Sequence, residues 1–470
     1  MTDNSILTMD TLDSLPPDWG VDLLPGIREQ IIRSGKKVVI LDDDPTGTQT
    51  VRDIPVLTHW SGEALVEELT GDYPAFFILT NSRSLAQPAA CKLAQEIGTS
   101  LHQASSQTGV DIVVISRSDS TLRGHFPAEV DAMAEAMGEK ELPYLIIPFF
   151  LEGGRYTIDD THYVREGDRL IPAAQTPFAR DAAFGFTHSD LKEWVAEKTN
   201  GAIDSGAVHS IRLDDIRGGG PDRVAAILMG VKKGKACIVN CASYSDMEVV
   251  VAGLLQAENC GAKFLFRTAA SFVRTRIGQD PHGGLLTREQ LVSGSSSGGL
   301  FIIGSYVEKT SLQVEELFRQ TDIRHVEVRV DHLLDPNRRQ DEVKRVVQAA
   351  SHTIDLGQDT AIYTSRTLIT GRDAVSSLEI GRVVSESLIE ISRKITAQPR
   401  YLVAKGGITS SDIATKGLSV RRAMVLGQAL PGVPTWQLGE ETRYPGMSYI
   451  VFPGNVGDTD ALAVLKKTLE

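Results

Sequence analysis

The chain has 470 residues and a mass of 51.0 kDa, more than the roughly 250–300 residues that a single hydrophobic core organises, so at least two domains are expected. Hydrophobic residues make up 41% and charged residues 23% of the chain, which is typical of an ordinary globular enzyme and excludes disordered, collagen-like and coiled-coil classes. The net charge of −13 repels phosphodiester backbones and anionic lipid headgroups, so nucleic acid and membranes are not expected as partners.

Cysteine usage and the N-terminus indicate a cytoplasmic protein. The four cysteines are too few and too unevenly spaced for a disulfide framework, which favours a reducing compartment. The first ten residues carry Asp3 and Asp10 and no basic residue, unlike a secretory signal. No segment reaches the roughly 18 apolar residues of a membrane span.

β-rich runs alternate with amphipathic stretches along the first half, the pattern of parallel α/β construction. Residues 1–35 are expected to be an N-terminal extension docked on the first domain. The strands predicted next are Lys37–Leu41, Ala75–Leu79, Ile112–Ile115, Tyr144–Pro148 and Cys237–Asn240. The helices predicted between them are Gly62–Glu68, Ala89–Gln103 and Pro127–Ala136.

A Gly/Ser-rich stretch, residues 278–299, interrupts this alternation and is predicted to be an interdomain linker. The strands predicted beyond it are Leu300–Ile303, His325–Val330, Thr360–Tyr363, Tyr401–Val403, Ala423–Leu426 and Tyr449–Phe452. The helices predicted there are Ser311–Arg319, Asp341–Ala350, Ser376–Ile395 and one that begins near Thr459. The sequence therefore predicts an α/β fold with two domains, residues 36–277 and 300–470, each a mainly parallel sheet flanked by helices.

The first predicted strand runs directly into three carboxylates, Asp42, Asp43 and Asp44, followed by a Pro/Gly turn. Ligands of open α/β sheets bind beyond the carboxyl ends of the strands. Mutual repulsion raises the pKa of at least one such carboxyl, which suits a general base or a cation ligand. We interpret the run as an active-site loop with Asp43 and Asp44 as candidate catalytic residues; a solvated acidic turn is the alternative.

Arginine stands beside hydroxyl groups or glycines at three further predicted strand ends: Thr80–Ser84, Ser116–Gly124 and Gly153–Thr157. A guanidinium group binds a planar anion through two hydrogen bonds, and Ser and Thr both donate and accept. Any one of these arginines alone would more often be a surface residue. Three such loops in one domain predict a shared pocket for a small hydroxylated acid.

Two glycine loops follow predicted strands of the second half, Gly406–Thr409 and Pro453–Asp460. Glycines let the backbone approach an anion, and free amides at a helix start favour phosphate. A tight strand–helix turn explains the first loop equally well, but two such loops favour a nucleotide site. The run Gly304–Thr310 is similar to a P-loop only superficially, because it lacks the glycine before the lysine.

The motifs resemble those of a known family, the four-carbon acid sugar kinases, long described as a domain of unknown function and including threonate, erythronate and 3-oxo-tetronate kinases. Asp119–Gly124 is the most specific of them. The resemblance covers nearly the whole chain from Lys36 onward. The runs that carry it are Asp42–Gly47, Asn81–Ser84, Asp119–Gly124, Gly153–Thr157, Phe266–Ala270, Gly406–Thr409 and Pro453–Asp458.

The resemblance implies that the N-terminal domain binds a sugar acid, that the C-terminal domain binds ATP, and that phosphate passes to a terminal hydroxyl across a cleft between them. Together with the arginine loops, it predicts as substrate-binding residues Arg83, Arg117, Ser118, Asp119, Ser120 and Arg123, with Asp43 or Asp44 as the base. The nucleotide contacts that it implies are Ser305, Thr364, Ser365, Gly406, Gly407, Ile408, Thr409 and Gly454. Mg²⁺ is expected to bridge the ATP phosphates, and the residues that would hold it are left open.

Two positions differ from the family pattern: Arg117, where many members have Lys, and Ile408, where many have an acidic or neutral residue. Arg and Lys recognise anions with different geometry, so the acid itself is left open. A kinase acting on a branched acid such as 3-oxo-isoapionate is one alternative. The others are a Mg-dependent phosphatase or aldolase that uses no ATP, and a sensor that binds the acid without turnover. The expected partners are thus small molecules, with a homodimer as the commonest assembly.

Overall fold

The computed structural model describes residues 5–280, 283–292, 294–305, 307–366 and 374–470. The start of the N-terminal extension (residues 1–4), Pro281, His282 and Ser293 of the Gly/Ser-rich stretch, and Tyr306 lie outside the described residues. The strands in chain order are β1 Leu7–Thr8, β2 Lys37–Asp42, β3 Ile54–Leu57, β4 Ala75–Leu79, β5 Ile112–Arg117, β6 Tyr144–Ile147, β7 Arg155–Ile158, β8 Thr161–Glu166, β9 Arg169–Pro172, β10 His209–Ile211, β11 Ala236–Val239, β12 Leu265–Thr268, β13 Leu300–Ile303, β14 Arg324–Val328, β15 Thr360–Thr364, β16 Tyr401–Lys405, β17 Arg422–Leu430, β18 Val433–Leu438 and β19 Ser448–Phe452.

The α-helices in chain order are α1 Asp10–Asp13, α2 Leu24–Ser34, α3 Gly62–Thr70, α4 Gln87–Thr108, α5 Ala128–Ala136, α6 Leu191–Lys198, α7 Leu213–Arg217, α8 Gly220–Met229, α9 Tyr244–Asn259, α10 Ala270–Arg276, α11 Arg288–Leu291, α12 Glu308–Gln320, α13 Val330–Leu334, α14 Arg339–Asp355, α15 Ala374–Lys394, α16 Gly407–Asp412 and α17 Ala461–Thr468. A π-helical turn, Ile413–Gly417, continues α16. Within the described ranges, no helix combines the length and the apolar content that crossing a membrane requires.

The chain forms two compact units, each of which is built from two separate segments of the sequence. Unit 1 contains the chain up to Gly47 and His59–Gly283, whereas unit 2 contains Thr48–Thr58 and Gly284–Glu470. The short early segment of unit 2 carries β3, which pairs antiparallel with β17. An early strand therefore completes the sheet of the C-terminal unit.

Unit 1 is built on a parallel sheet of strand order β10-β11-β6-β12-β5-β2-β4. Val38, Val39 and Ile40 of β2 are almost fully buried, as expected of a strand covered on both faces. From β2 the chain passes to β4 on one side and then crosses to β5 on the other. This reversal is a topological switch point, where ligands of α/β sheets bind beyond the strand ends. Here the position beyond β2 is occupied by the acidic run.

A small antiparallel sheet, β1-β9-β8-β7, completes unit 1 and includes the N-terminal extension. Leu7 of β1 pairs with Leu170 of β9. In the same extension, the Arg28 side chain of α2 donates from Nε to the carbonyl of Gly278 at 2.7 Å. Strand pairing and side-chain contacts therefore attach the extension to unit 1.

Unit 2 has a sheet of order β3-β17-β18-β19-β16-β13-β15-β14, parallel from β19 to β14 and antiparallel from β3 to β19. The chain runs from β13 to β14 and β15 on one side and to β16 and β19 on the other. This second switch point lies beyond β13, where Gly304 and Ser305 follow the strand.

The predicted fold class is confirmed: both units are α/β, with mainly parallel sheets flanked by helices. Some elements differ from the predictions. Pro148 and Asn240 lie just outside β6 and β11. Val330 begins α13, and its backbone N–H donates to the Ser365 hydroxyl rather than to a neighbouring strand. The predicted anion loop Gly153–Thr157 runs into β7 at Arg155, and Tyr156, Thr157 and Ile158 of this strand are all buried.

Candidate active site

The acidic run of unit 1 lies between the carboxyl ends of β4 and β5. In the parallel register, Asp42 pairs with Leu79 of β4 and with Arg117 of β5. The backbone amide and hydroxyl of Thr80 both donate to the carbonyl of Asp42 at 2.9 Å. Three chain segments that are distant in sequence thus end at one edge of the sheet.

Arg83 binds carboxylates from two of these strand ends. It lies in a 3₁₀ turn, Ser82–Ser84, directly after β4. Its Nη2 is 2.6 Å from Asp44 Oδ2 and 3.6 Å from Asp43 Oδ1, and its Nη1 is 3.1 Å from Asp119 Oδ1. The guanidinium is mostly buried and held cationic by these neighbours, since their charges raise its pKa despite burial. One arginine therefore organises the predicted catalytic and substrate-binding residues.

Asp43 and Asp44 have different environments. Burial raises the pKa of Asp43, and the nearby arginines only partly oppose this; its buried Oδ1 has no hydrogen-bond partner in the described part of the chain. Burial acts on Asp44 in the same direction, but Arg83 and the hydrogen bonds from Thr46 outweigh it and lower that pKa. Asp43 is thus the carboxylate better able to accept a proton, and Asp44 the one held ionised.

Asp42 and Arg117 form an inner pair below this surface. Both side chains are buried, with Nη1 3.4 Å from Oδ1. Burial raises the pKa of Asp42 to about 8, against the influence of Arg117 and with that of Asp43. Arg117, predicted to bind substrate, therefore contacts Asp42 in this structure.

The Asp119–Gly124 loop presents the remaining predicted residues. Asp119 Oδ2 accepts a hydrogen bond from Arg123 Nε at 2.8 Å. Burial alone would raise the pKa of Asp119, but the charges of Arg83 and Arg123 outweigh burial and hold the pKa well below its ordinary value. Arg123 Nε also donates to the Thr121 hydroxyl at 3.2 Å, and Arg123 Nη1 lies 3.5 Å from Asp181 Oδ2. Ser118 and Ser120 lie in the same buried segment, with the Ser118 hydroxyl 2.9 Å from that of Ser116.

Two buried side chains that sequence reasoning did not select support this loop. Arg267, at the end of β12, is fully buried and donates from Nη2 to the carbonyls of Asp119 at 2.8 Å and Arg123 at 3.1 Å. His162 Nε2 lies 2.8 Å from the Ser120 carbonyl, and burial lowers its pKa to about 3. Arg267 lies within Phe266–Ala270, one of the runs that carry the family resemblance, and this run was the available signal for it.

Glu129 of α5 was also missed. Burial raises its pKa to about 7, opposed by a hydrogen bond with Ser82 and reinforced by the charge of Asp43. It lines a cavity together with Asp43, Thr80 and Ser116. Nothing in the sequence distinguished this glutamate from a solvated helix residue.

In unit 2, four predicted nucleotide-binding segments meet beyond β13 and its neighbours. The Thr310 hydroxyl of α12 lies 3.0 Å from the Ser305 hydroxyl and 3.3 Å from the Gly454 carbonyl, to which it can donate. Arg366 Nη2 donates to the Ser305 carbonyl at 2.8 Å and to the Thr364 hydroxyl at 3.0 Å. The strand ends of β13, β15 and β19 are thereby joined by side-chain hydrogen bonds.

The glycine loop after β16 packs against Ser305. Gly406 has φ +118°, and a Cβ there would lie 3.1 Å from Ser305 Cβ and 3.3 Å from Thr409 Oγ1. Gly407, Ile408 and Thr409 form the first turn of α16, which has no side-chain cap. The first amides of a helix have no acceptor within the helix, so the amides of these three residues are available to an anion.

Ser365 and Ile408 differ from the other predicted residues. The Ser365 hydroxyl donates to the Val328 carbonyl at 3.1 Å and accepts from the amide of Val330 at 3.0 Å, so it joins β14 to α13. Ile408 is 65% exposed. The structure therefore brings Ser305, Thr364, Gly406, Thr409 and Gly454 together and gives Ser365 a structural bond.

We expect the substitution Gly406→Ala to abolish measurable nucleotide binding and to lower stability by about 1–3 kcal/mol, because alanine is strained at this positive φ and its Cβ meets Ser305. The matched control is Gly381→Ala, at an exposed position of α15 with open space around the added Cβ, which should be neutral or slightly stabilising. Titration calorimetry with Mg·ADP and thermal melts of both variants test this; wild-type affinity in Gly406→Ala would exclude the loop from the site.

These observations define a two-unit α/β protein with a cluster of charged side chains at one switch point and a group of glycine-containing loops at the other. A family model described as a sugar-binding N-terminal domain matches residues 38–276, and one described as a nucleotide-binding C-terminal domain matches residues 300–462. The chain belongs to the four-carbon acid sugar kinase family.

Individual relatives agree with this assignment. The chain is 23% identical over 376 residues to a D-erythronate kinase of Heliobacterium modesticaldum, covering 76% of this chain and 79% of the relative. Crystal structures of a Haemophilus influenzae DUF1537 protein and of a Salmonella typhimurium LT2 protein match with TM-scores of 0.62 and 0.67. Each covers 92% of this chain, at 16% and 15% identity, and 100% and 98% of the respective neighbour. These two structures share the fold.

Proposed function

We propose that the protein is an ATP-dependent kinase that phosphorylates a terminal hydroxyl of a four-carbon sugar acid such as threonate, erythronate or a 3-oxo-tetronate, or of a branched relative such as 3-oxo-isoapionate. The observation that carries the proposal is the position of Asp43, whose Oδ1 has no hydrogen-bond partner among the described residues, beside Arg83 at the β2 switch point. The D-erythronate kinase relative supports the substrate class.

Arg83 and Arg123 are the proposed partners of the substrate carboxylate, with Arg117 behind them. Arg123 is 26% exposed in its side chain and has a weaker second contact with Asp181 at 3.5 Å, so part of its planar fork is available to a substrate carboxylate. Ser118, Asp119 and Ser120 would order the substrate hydroxyls, because hydroxyl and carboxylate oxygens match alcohol groups. A hydroxylated acid thus offers a carboxylate to the arginines and alcohol groups to the Ser and Asp side chains.

Asp43 is the proposed base. Its carboxylate accepts the proton of the terminal hydroxyl while the hydroxyl oxygen bonds to the γ-phosphorus and the bond to the β-phosphate oxygen breaks, which releases ADP. The raised pKa of Asp43 helps it to retain that proton until the product leaves. Asp44 remains ionised and holds Arg83 in place.

The nucleotide would enter as Mg·ATP and bind at the strand-end loops of unit 2. The groups at these loops are backbone amides and hydroxyls, as at Ser305 and Gly406–Thr409, which are ligands for phosphate rather than for a divalent cation. Mg²⁺ is therefore proposed to be carried on phosphate oxygens and water. From the cysteine usage we also propose a cytoplasmic enzyme, with a homodimer as the expected assembly.

The test is ADP release from Mg·ATP with a panel of D- and L-threonate, D- and L-erythronate, their 3-oxo forms and branched analogues. We expect release with one acid, and loss of that release in Arg83→Ala. A thermal shift with ATP but no release with any acid would leave the nucleotide site standing and exclude this substrate class. No shift and no release would contradict the kinase itself.

A further inference from the structure

Lys405 is a fully buried lysine at the carboxyl end of β16, beside the glycine loops of unit 2. Its Nζ donates to the carbonyls of Pro453 at 2.6 Å and Gly454 at 3.1 Å. The same ammonium lies 4.1 Å from the centre of the Phe452 ring. The lysine thus fixes the start of the loop that follows β19.

Further side chains hold the same loop by its carbonyl groups. Thr310 donates to Gly454, Lys309 to Asn455 at 3.4 Å, and Gln313 to Val456 at 3.0 Å and Asp458 at 2.9 Å. By contrast, the backbone amides of residues 454–457 have no acceptor within the described ranges. Because successive carbonyls face these inner donors, successive amides are free to face an anion on the other side.

The charge on Lys405 lacks a counter-ion. No carboxylate of the described residues lies within ion-pair distance of Nζ, and the charged group whose field reaches it is another cation, Lys309. A buried ammonium normally requires an anionic partner. The carbonyls of Pro453 and Gly454 and the face of the Phe452 ring compensate only partly for the water that the ammonium loses on burial.

We infer that Lys405 is a positioning residue that couples nucleotide binding to uptake of a proton: in its charged form it turns the amides of residues 454–457 toward a bound phosphate, and the phosphate in turn stabilises that charge. The inference rests on the proposed nucleotide site of unit 2 and adds to it a protonation step and the residue responsible. Thermodynamic linkage makes the effect reciprocal. If a bound phosphate favours the protonated form of Lys405, then protonation of Lys405 must strengthen phosphate binding by the same factor.

The direction of the effect follows from the burial of the lysine. Burial, reinforced by Lys309, lowers the pKa of Lys405 to about 7, so the free protein is mostly neutral at this position at pH 8. A polyphosphate at the loop raises that pKa again. At pH 8 we therefore expect uptake of roughly 0.5–0.9 proton per nucleotide bound, and an affinity that falls as the pH rises from 7 to 9.

The experiment is titration calorimetry of the full-length protein with Mg·ADP at pH 8 in buffers of different ionisation enthalpy. The slope of the observed binding enthalpy against the buffer ionisation enthalpy gives the number of protons taken up. Lys405→Met should bind more weakly and take up none, and Lys405→Arg, which stays charged at all these pH values, should bind without uptake. Lys467→Met, which removes an exposed lysine of the same unit, should keep the wild-type slope.

The outcomes separate the two proposals. Binding of Mg·ADP by the wild type without proton uptake, or the same uptake in the Lys405 variants, would overturn the role of Lys405 and leave the nucleotide site intact. A wild type that gives no binding heat and no thermal shift would instead overturn the nucleotide site itself. A thermal melt would show whether Lys405→Met folds. If it does not, the wild type and Lys405→Arg still test the inference, because a lysine with only a structural role would give no dependence of the binding enthalpy on the buffer.

Discussion

Asp43→Asn should lower kcat by about 10²–10⁴-fold, the usual contribution of a general base. Asparagine preserves the shape and the single long contact to Arg83 at 3.6 Å but cannot accept the substrate proton. The fold should be retained, since Oδ1 makes no hydrogen bond that the substitution would remove. The measurement is kcat from ADP release with the acid identified from the panel, alongside a thermal melt.

Asp44→Asn provides the matched control, because it removes the same charge one residue away. Asp44 is held by Arg83 at 2.6 Å and by Thr46, so its loss should raise the KM for the acid through a displaced Arg83 and lower kcat by about tenfold or less. The reverse ranking of the two variants would make Asp44 the base. Wild-type turnover in both would mean that neither carboxylate accepts the proton.

The pH profile supplies a second readout for Asp43. A base works only when deprotonated, so activity should fall as the pH drops through its pKa. Because burial raises this pKa, the acidic limb should lie above the value of about 4 expected for a free aspartate. The same limb should be missing from the residual activity of Asp43→Asn.

The strand ends that carry these groups were predictable, because local patterns encode them. The continuous apolar run that leads into Asp42 is visible in the sequence and is followed by turn residues. The predicted strand Tyr401–Val403 has the start of β16 but ends two residues before it, because the sequence does not show that Lys405 is buried in the strand. The predicted Ala75–Leu79 and Leu300–Ile303 have the bounds of β4 and β13. For these two strands, which are buried on both faces of the sheet, the apolar run in the sequence has the same bounds as the strand in the structure.

Pairings between strand ends were not predictable, because they depend on sheet order. That Arg83 meets Asp119 follows from β4 and β5 lying on either side of β2, which no spacing along the chain reports. The predictions likewise left Ile54–Leu57 without an assignment, and it pairs with β17 some 370 residues later. Burial of Lys405 and Arg267 is equally non-local, since polar residues in apolar runs read as exposed until their neighbours are known.

Arg83→Met is expected to have the largest combined effect on function and stability. The substitution removes the cation shared by Asp43, Asp44 and Asp119. Asp119 keeps Arg123 and Asp44 keeps its hydrogen bonds from Thr46, but all three buried carboxylates lose part of their charge compensation. Breaking one partner out of a buried ionic network costs about 3–5 kcal/mol, and kcat/KM for the acid should fall by about 100-fold or more as its carboxylate loses a bidentate partner. Arg382→Met, which removes an exposed arginine paired with Glu379 and Glu386 on α15, should change stability by at most about 1 kcal/mol.

The stability loss of Arg83→Met should depend on pH with a definite sign. In the wild type the pKa values of Asp44 and Asp119 are lowered, so their contribution to stability is present above the unfolded-state pKa of about 4 and is lost only as the pH falls through the folded-state values. Without Arg83, burial is opposed less and these carboxyls take up protons at higher pH. The difference in unfolding free energy between wild type and variant should therefore be largest near pH 7 and shrink toward pH 4, as urea denaturation at both pH values would measure. A difference independent of pH would mean that the packing of the Arg83 side chain, rather than its charge, maintains the site.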